Sequence, residues 1–249
     1  MIALRLLLLL LALLAPSLAF GQDEMMLGEA LESALAGAKP EQTSDAVRLV
    51  LLLTTMSLLP GVLLVMTPFT RFIIVFSLLR QALGLQQSPP NQILIGLSLV
   101  LTLLVMHPTL TTVNETAMQP YMAGEITTAD AYHAGIGPMR VFMLRNVKRS
   151  DLATSMRIAR MSRPDTIDDV PTVVVMTAFM LSELQTAFTI AVKVYIPFLV
   201  LDLVVASVLL GMGMMMLPPV VISLPFKLAV FVLMDGWGLL VTGLVASIH

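Results

Sequence analysis

The chain has 249 residues, 57% of them hydrophobic and 12% charged, with a formal charge of −2 and a mean hydropathy of +0.93. A soluble domain carries about twice that charge fraction, so this is the composition of an integral membrane protein, and the net charge lends no support to nucleic-acid binding. Cysteine is absent, which excludes structural disulfides, thiol catalysis and Cys-ligated metal.

Residues 1–21 read as a cleavable signal peptide. Arg5 is the positive start, Leu6–Leu14 the short apolar core, and cleavage follows Ala19 or Gly21. Residues 22–46 form an acidic tail in which Asp23, Glu24, Glu29, Glu32, Glu41 and Asp45 face Lys39 alone. The stretch 47–107 reads as a first helical hairpin region. Its segment 47–66 is long enough to span and carries a kink signal at Pro60-Gly61. Thr67-Pro68 predicts a turn, Phe72–Leu85 a shorter helix, and Gln86–Pro90 another turn with Asn91 as N-cap of the next helix. That helix, 92–106, is expected to end at His107-Pro108.

Residues 108–170 are polar and rich in basic side chains: Arg140, Arg145, Lys148, Arg149, Arg157, Arg160 and Arg163. The spacing predicts one moderately amphipathic helix over 139–163, whose basic face suits either solvent or an anionic surface. Asp168-Asp169-Val170-Pro171 then predicts a capped start for a long apolar helix, with Pro197 expected to kink or break it. Residues 171–249 form a second hairpin region. With the signal removed, 47–66 runs inward, Arg71 and Arg80 lie on the inner side, and 108–170 and the C-terminus lie outside. Hydropathy suggests four spans in an all-α membrane protein.

The stretch 202–227 stands at the centre of this pattern. Asp202 and Lys227 bracket a run with no other charge, which holds Gly211, Gly213, Met214, Met215, Met216, Pro218 and Pro219. Glycine loosens the backbone and proline removes donors, so the run reads as helix, bend, helix. Methionines there either pack an ordinary turn or fill a gap that must deform. Charges in apolar segments cost roughly 2.5–3.5 kcal/mol each and need a partner or water. They are Glu183, Lys193, Asp202, Lys227 and Asp235. A hairpin with its tip at 214–219 brings Asp202 and Lys227 toward one depth, which predicts a pair within the chain or between subunits. No nucleophile elbow, phosphate loop, metal-ligand cluster or dinucleotide fingerprint is present, so the residues point to no enzyme, cofactor or metal.

Four stretches carry a resemblance: MTPFTRFIIVFSLLRQALGLQQSPPNQILIGLSLVLTLLVMHP (66–108), FMLSELQTAF (179–188), PFLVLDLVVASVLLGMGMMMLPPVVISLPFK (197–227) and DGW (235–237). In them the sequence resembles the inner-membrane export-gate proteins of type III secretion systems, in their flagellar branch. The resemblance implies kinked helical hairpins that assemble into a right-handed helical oligomer, a pentamer joined by FliR and surrounded by FliQ, partly on the periplasmic side. It implies FlhA and FlhB beneath, and a pore for unfolded rod, hook and filament proteins. By position, Met214, Met215 and Met216 match the family's methionine gasket, Asp202 and Lys227 its charged pair, and Glu183 its acidic position. A different class of function, a small-ion or solute transporter using Asp202 and Lys227 as a relay, is the alternative.

Overall fold

The computed structural model describes residues 53–54, 57, 61–62, 64–161, 164, 166–214 and 218–248. The signal peptide, the acidic tail, most of segment 47–66, Met215 and Met216 lie outside the described residues. The chain divides into two units, Met1–Leu64 and Val65–His249. In the first, Leu53, Thr54, Ser57, Gly61 and Val62 are helical. The second holds every element that follows.

Among the described residues all regular structure is helical. We label the helices α1 Phe69–Ala82, α2 Asn91–Met122, α3 Thr128–Asn146, α4 Arg149–Ile158, α5 Thr172–Gly211, α6 Pro219–Leu233 and α7 Gly236–Ala246. Two of them, α2 and α5, are long and apolar enough to cross a bilayer; α6 and α7 pass the same test together but are bent by 63°.

α1 starts three residues earlier than its hydrophobic run suggests, because the amides of Arg71 and Phe72 donate to the Pro68 carbonyl. It buries Phe72, Val75, Phe76, Leu79 and Ala82, one stripe at helical spacing. Opposite lie Ala187 and Ala191 of α5, both buried. Small side chains let the two backbones approach closely, which matters where lipid removes the hydrophobic drive between helices. A second core joins Met106, Met139, Phe142 and Met143 to Val175 and Phe179.

Several sequence expectations are corrected. Asn91 is not an N-cap; it is the first residue of α2, and its side-chain oxygen accepts from Arg80 Nη1 at 2.7 Å. α2 does not end at His107-Pro108. Pro108 removes one donor, and the helix continues through a π turn at Asn114–Met118. Thr111 and Thr112 donate their hydroxyls back to the carbonyls of His107 and Pro108. The helix expected over 139–163 is two helices, because Val147 and Lys148 are extended and the Lys148 amide donates to Ser182 Oγ at 3.0 Å. Asp169 caps the short turn at 167–169 through Thr166 and does not cap α5, whose N-cap is Pro171. Pro197 does not break α5: its ring is on the exposed side and the helix runs through it.

The topology also changes. Arg71 donates to both the carbonyl and the hydroxyl of Ser247 at 2.8 Å. The start of α1 and the C-terminal end therefore share one level rather than opposite sides. The other end of α1 meets α6, where Gly84 lies beneath Val220 and Leu224.

Candidate functional site

The sequence of α5 ends as its composition dictates. Gly213 has φ +75°, the left-handed region that glycine enters without steric cost. Its amide donates to Leu210 O at 3.0 Å and that of Met214 to Leu209 O at 3.0 Å, which closes the helix in a Schellman motif. Gly211 is the last helical residue. Met214 follows, 42% exposed. After the break the chain is extended at Pro218, and Pro219 opens α6, where its missing donor costs nothing.

Behind this bend the two arms are locked together. Lys227 Nζ lies 2.6 Å from Asp202 Oδ2 and donates to the Ala82 carbonyl at 2.9 Å. Ser223, one turn before Lys227, donates its hydroxyl to the other oxygen of Asp202. The lock joins α5, α6 and the end of α1. Lys227 is 2% exposed, so the cation is removed from water and satisfied within the chain.

A second lock sits at the opposite end of α1. Arg71 and Glu183 are 2% and 0% exposed. The guanidinium donates through Nε to Oε2 at 2.8 Å and through Nη2 to Oε1, a bidentate pair. With Ser247 on Nη1, Arg71 ties α1, α5 and the C-terminal end into one knot. Glu183 was singled out by sequence, but its partner was not. The signal was present: Arg71 and Glu183 are both isolated charges in apolar surroundings, and each requires an opposite charge.

The remaining charges behave differently. Lys193 and Asp235 are exposed, and neither has an ion-pair partner among the described residues. Asp235 holds the left-handed turn, φ 49°, that bends α6 into α7. There Gly236 is required by close approach, since a Cβ would lie 2.2 Å from the Phe231 ring. Asp169, in the loop before α5, is held below the ordinary carboxylate range by hydrogen bonds from the Thr166 hydroxyl and amide. Among the described residues no three His, Asp or Glu side chains gather as a metal site would need.

Long apolar helices, a broken helical pair and charges neutralised inside the helix packing define a polytopic helical membrane protein. The chain belongs to the FliP family, whose model matches residues 52–244. It is 48% identical over 212 residues to the flagellar biosynthetic protein FliP of Bacillus subtilis (strain 168), covering 85% of this chain and 96% of that protein. It is 49% identical over 205 residues to the protein of that name from Caulobacter vibrioides, covering 82% of this chain and 77% of the relative. The protein of that name from Pectobacterium carotovorum is 50% identical over 204 residues, covering 82% of this chain and 79% of the relative.

Proposed function

We propose that this chain is a core subunit of the flagellar type III export gate, forming with further copies of itself the pore through which unfolded rod, hook and filament proteins cross the inner membrane. The observation that carries the reading is the similarity along residues 52–244 to flagellar biosynthetic proteins. FliQ and FliR flank it in the assembly, and FlhA and FlhB lie beneath. The work is mechanical and electrostatic rather than chemical, and no cofactor takes part.

In this reading the bend between Gly211 and Pro218 is the constriction, and Met214, Met215 and Met216 are its gasket. Flexible apolar side chains dewet a narrow passage against ions yet yield to a passing polypeptide. Support comes from the division of labour around the bend. The arms are held by the Asp202–Lys227 pair, and the helix closes at Gly213, so movement at the tip need not unpack the arms. The transporter alternative is disfavoured because Asp202 and Lys227 are occupied by each other, Ser223 and the Ala82 carbonyl.

The test combines Met214→Ala, Met215→Ala and Met216→Ala in one flagellated strain. Small-solute leak across the inner membrane and secretion of hook protein are measured together. The expected result is raised leak with export retained. Unchanged leak with a stably assembled variant returns the methionines to ordinary packing.

A further inference from the structure

The two buried locks leave Lys193 of α5 and Asp235 of the α6–α7 bend without an opposite charge among the described residues. Both are exposed, and both belong to apolar helices, where a charge needs a partner or water. The Asp235 carboxylate lies over the first turn of α7, where a Cβ on Gly238 would collide with it, yet it caps no helix amide. Each of the two charges therefore faces outward with its demand unmet inside the chain.

The hairpin fixes where these two charges lie. Asp202 meets Lys227, and four residues further from the tip the Phe198 and Phe231 rings are 6.3 Å apart, so α5 and α6 hold one register. Nine residues back from Asp202 stands Lys193, and eight on from Lys227 stands Asp235. At ~1.5 Å per residue the two charges share one level to within about 3 Å. They do not share one side. At ~100° per residue, Lys193 lies about 140° around α5 from Phe198 and about 180° from Asp202, the two residues that face α6. It lies about 160° from Ala191, which packs against α1. Lys193 therefore points away from its own α6 and α1. The face around it is apolar and uncovered, with Ile196 53%, Val200 50% and Val204 55% exposed. Beside Asp235, Leu233 and Met234 are exposed as well.

We propose that Lys193 of one copy pairs with Asp235 of the next copy of this chain, and that the pair sets the register between copies. A rotation about an axis running along the helix arms moves a copy sideways without changing its level, so the two charges meet at one height. Each copy gives Lys193 to one neighbour and Asp235 to the other. That is a heterologous contact, the kind that builds rings and helical arrays. Charge complementarity names the occupant: a single cation on one side of the hairpin and a single anion on the other, each set in exposed apolar surface that excludes water once covered. The inference rests on the export-gate reading in one respect, that several copies of the chain assemble.

The absence of cysteine makes a clean test available. Two differently tagged full-length chains, one with Lys193→Cys and the other with Asp235→Cys, are co-expressed in a flagellated strain in place of the unsubstituted chain. A short bifunctional thiol linker bridges them, because a lysine–carboxylate pair holds its Cα atoms further apart than a disulfide spans. The expected product is a cross-linked dimer that carries both tags, with none from either variant expressed alone. In a second arm, native electrophoresis of the detergent-solubilised chain reads the oligomer. Lys193→Asp is expected to lower its yield roughly tenfold or more, since like charges across a contact repel, and Lys193→Asp combined with Asp235→Lys restores it. Lys193 and Asp235 form no ion pair within the chain, so rescue by the exchange separates a contact between copies from a folding defect. An oligomer that forms without the mixed cross-link and ignores the charge reversal overturns the pairing and leaves the export-gate reading standing. A cross-link from one variant alone brings like residues together and overturns the pairing too. A chain that stays monomeric in flagellated cells overturns both.

Discussion

Glu183→Ala is the most severe single substitution these locks offer. It removes both oxygens that accept from the Arg71 guanidinium and leaves a cation that is 2% exposed with only Ser247 for company. Breaking a buried ion pair from one side costs about 3–5 kcal/mol, because the surviving charge stays desolvated and unpaired. For a unit of this size each kcal/mol lowers the melting temperature by about 2–4 °C, so the expected drop is on the order of 10 °C. Trp237 is the sole tryptophan; its ring lies 6.1 Å from that of Phe76, tilted, and 5.6 Å from that of Phe231, edge-on, so its fluorescence reports the core that α1 shares with α6 and α7. The assay is thermal unfolding of the full chain in detergent, followed through that residue. Arg71→Met combined with Glu183→Leu removes both charges and recovers most of the loss, since apolar replacement of a whole buried pair is near neutral. A single variant that loses less than about 1 kcal/mol, or a double variant no better than the single, refutes the reasoning.

Two further expectations rest on separate features. Gly213→Ala places a Cβ at φ +75° and destabilises the end of α5 by roughly 1–2 kcal/mol, with no new clash among the described residues. Gly211→Ala, inside the helix with open space around it, is neutral or stabilising by about 0.5–1 kcal/mol; equal effects of the two in chemical denaturation refute the cap assignment. Asp169 supplies a pH dependence. Its pKa is lowered by the Thr166 hydrogen bonds, so its contribution is fully present above the ordinary carboxylate value of about 3.9 and is lost as pH falls through the lowered value. The protection of the Thr166 amide, its exchange rate relative to the intrinsic rate at the same pH, is expected to fall in that acidic window and Asp169→Asn to abolish the step; a loss of protection that persists in the Asn variant assigns the effect to another group.

Much of the local structure was legible in the sequence because it depends on composition and near neighbours. The apolar runs announced membrane helices. Glycine and proline around 211–219 announced a bend, since their backbone preferences hold in any context. The two charges flanking that bend were legible as a pair because a hairpin fixes the depth of its own arms. Helix ends were less legible. Pro108 and Pro197 look like stops, yet a proline removes only one donor, and packing on neighbouring helices outweighs that loss.

What the sequence by itself determined is the class of protein, its apolar helices and the need of each isolated charge for a partner or water. Only the tertiary structure decided which partner answers which charge. Arg71 and Glu183 are separated by 112 residues, and no periodicity links them. Lys227 completes its shell with the Ala82 carbonyl, a backbone group that every residue carries and that composition therefore cannot single out. The split between α3 and α4 has the same origin, because a serine on α5 captures the Lys148 amide. Local preference is encoded residue by residue, whereas desolvation of a charge is settled by whichever groups the packed helices bring within hydrogen-bond reach.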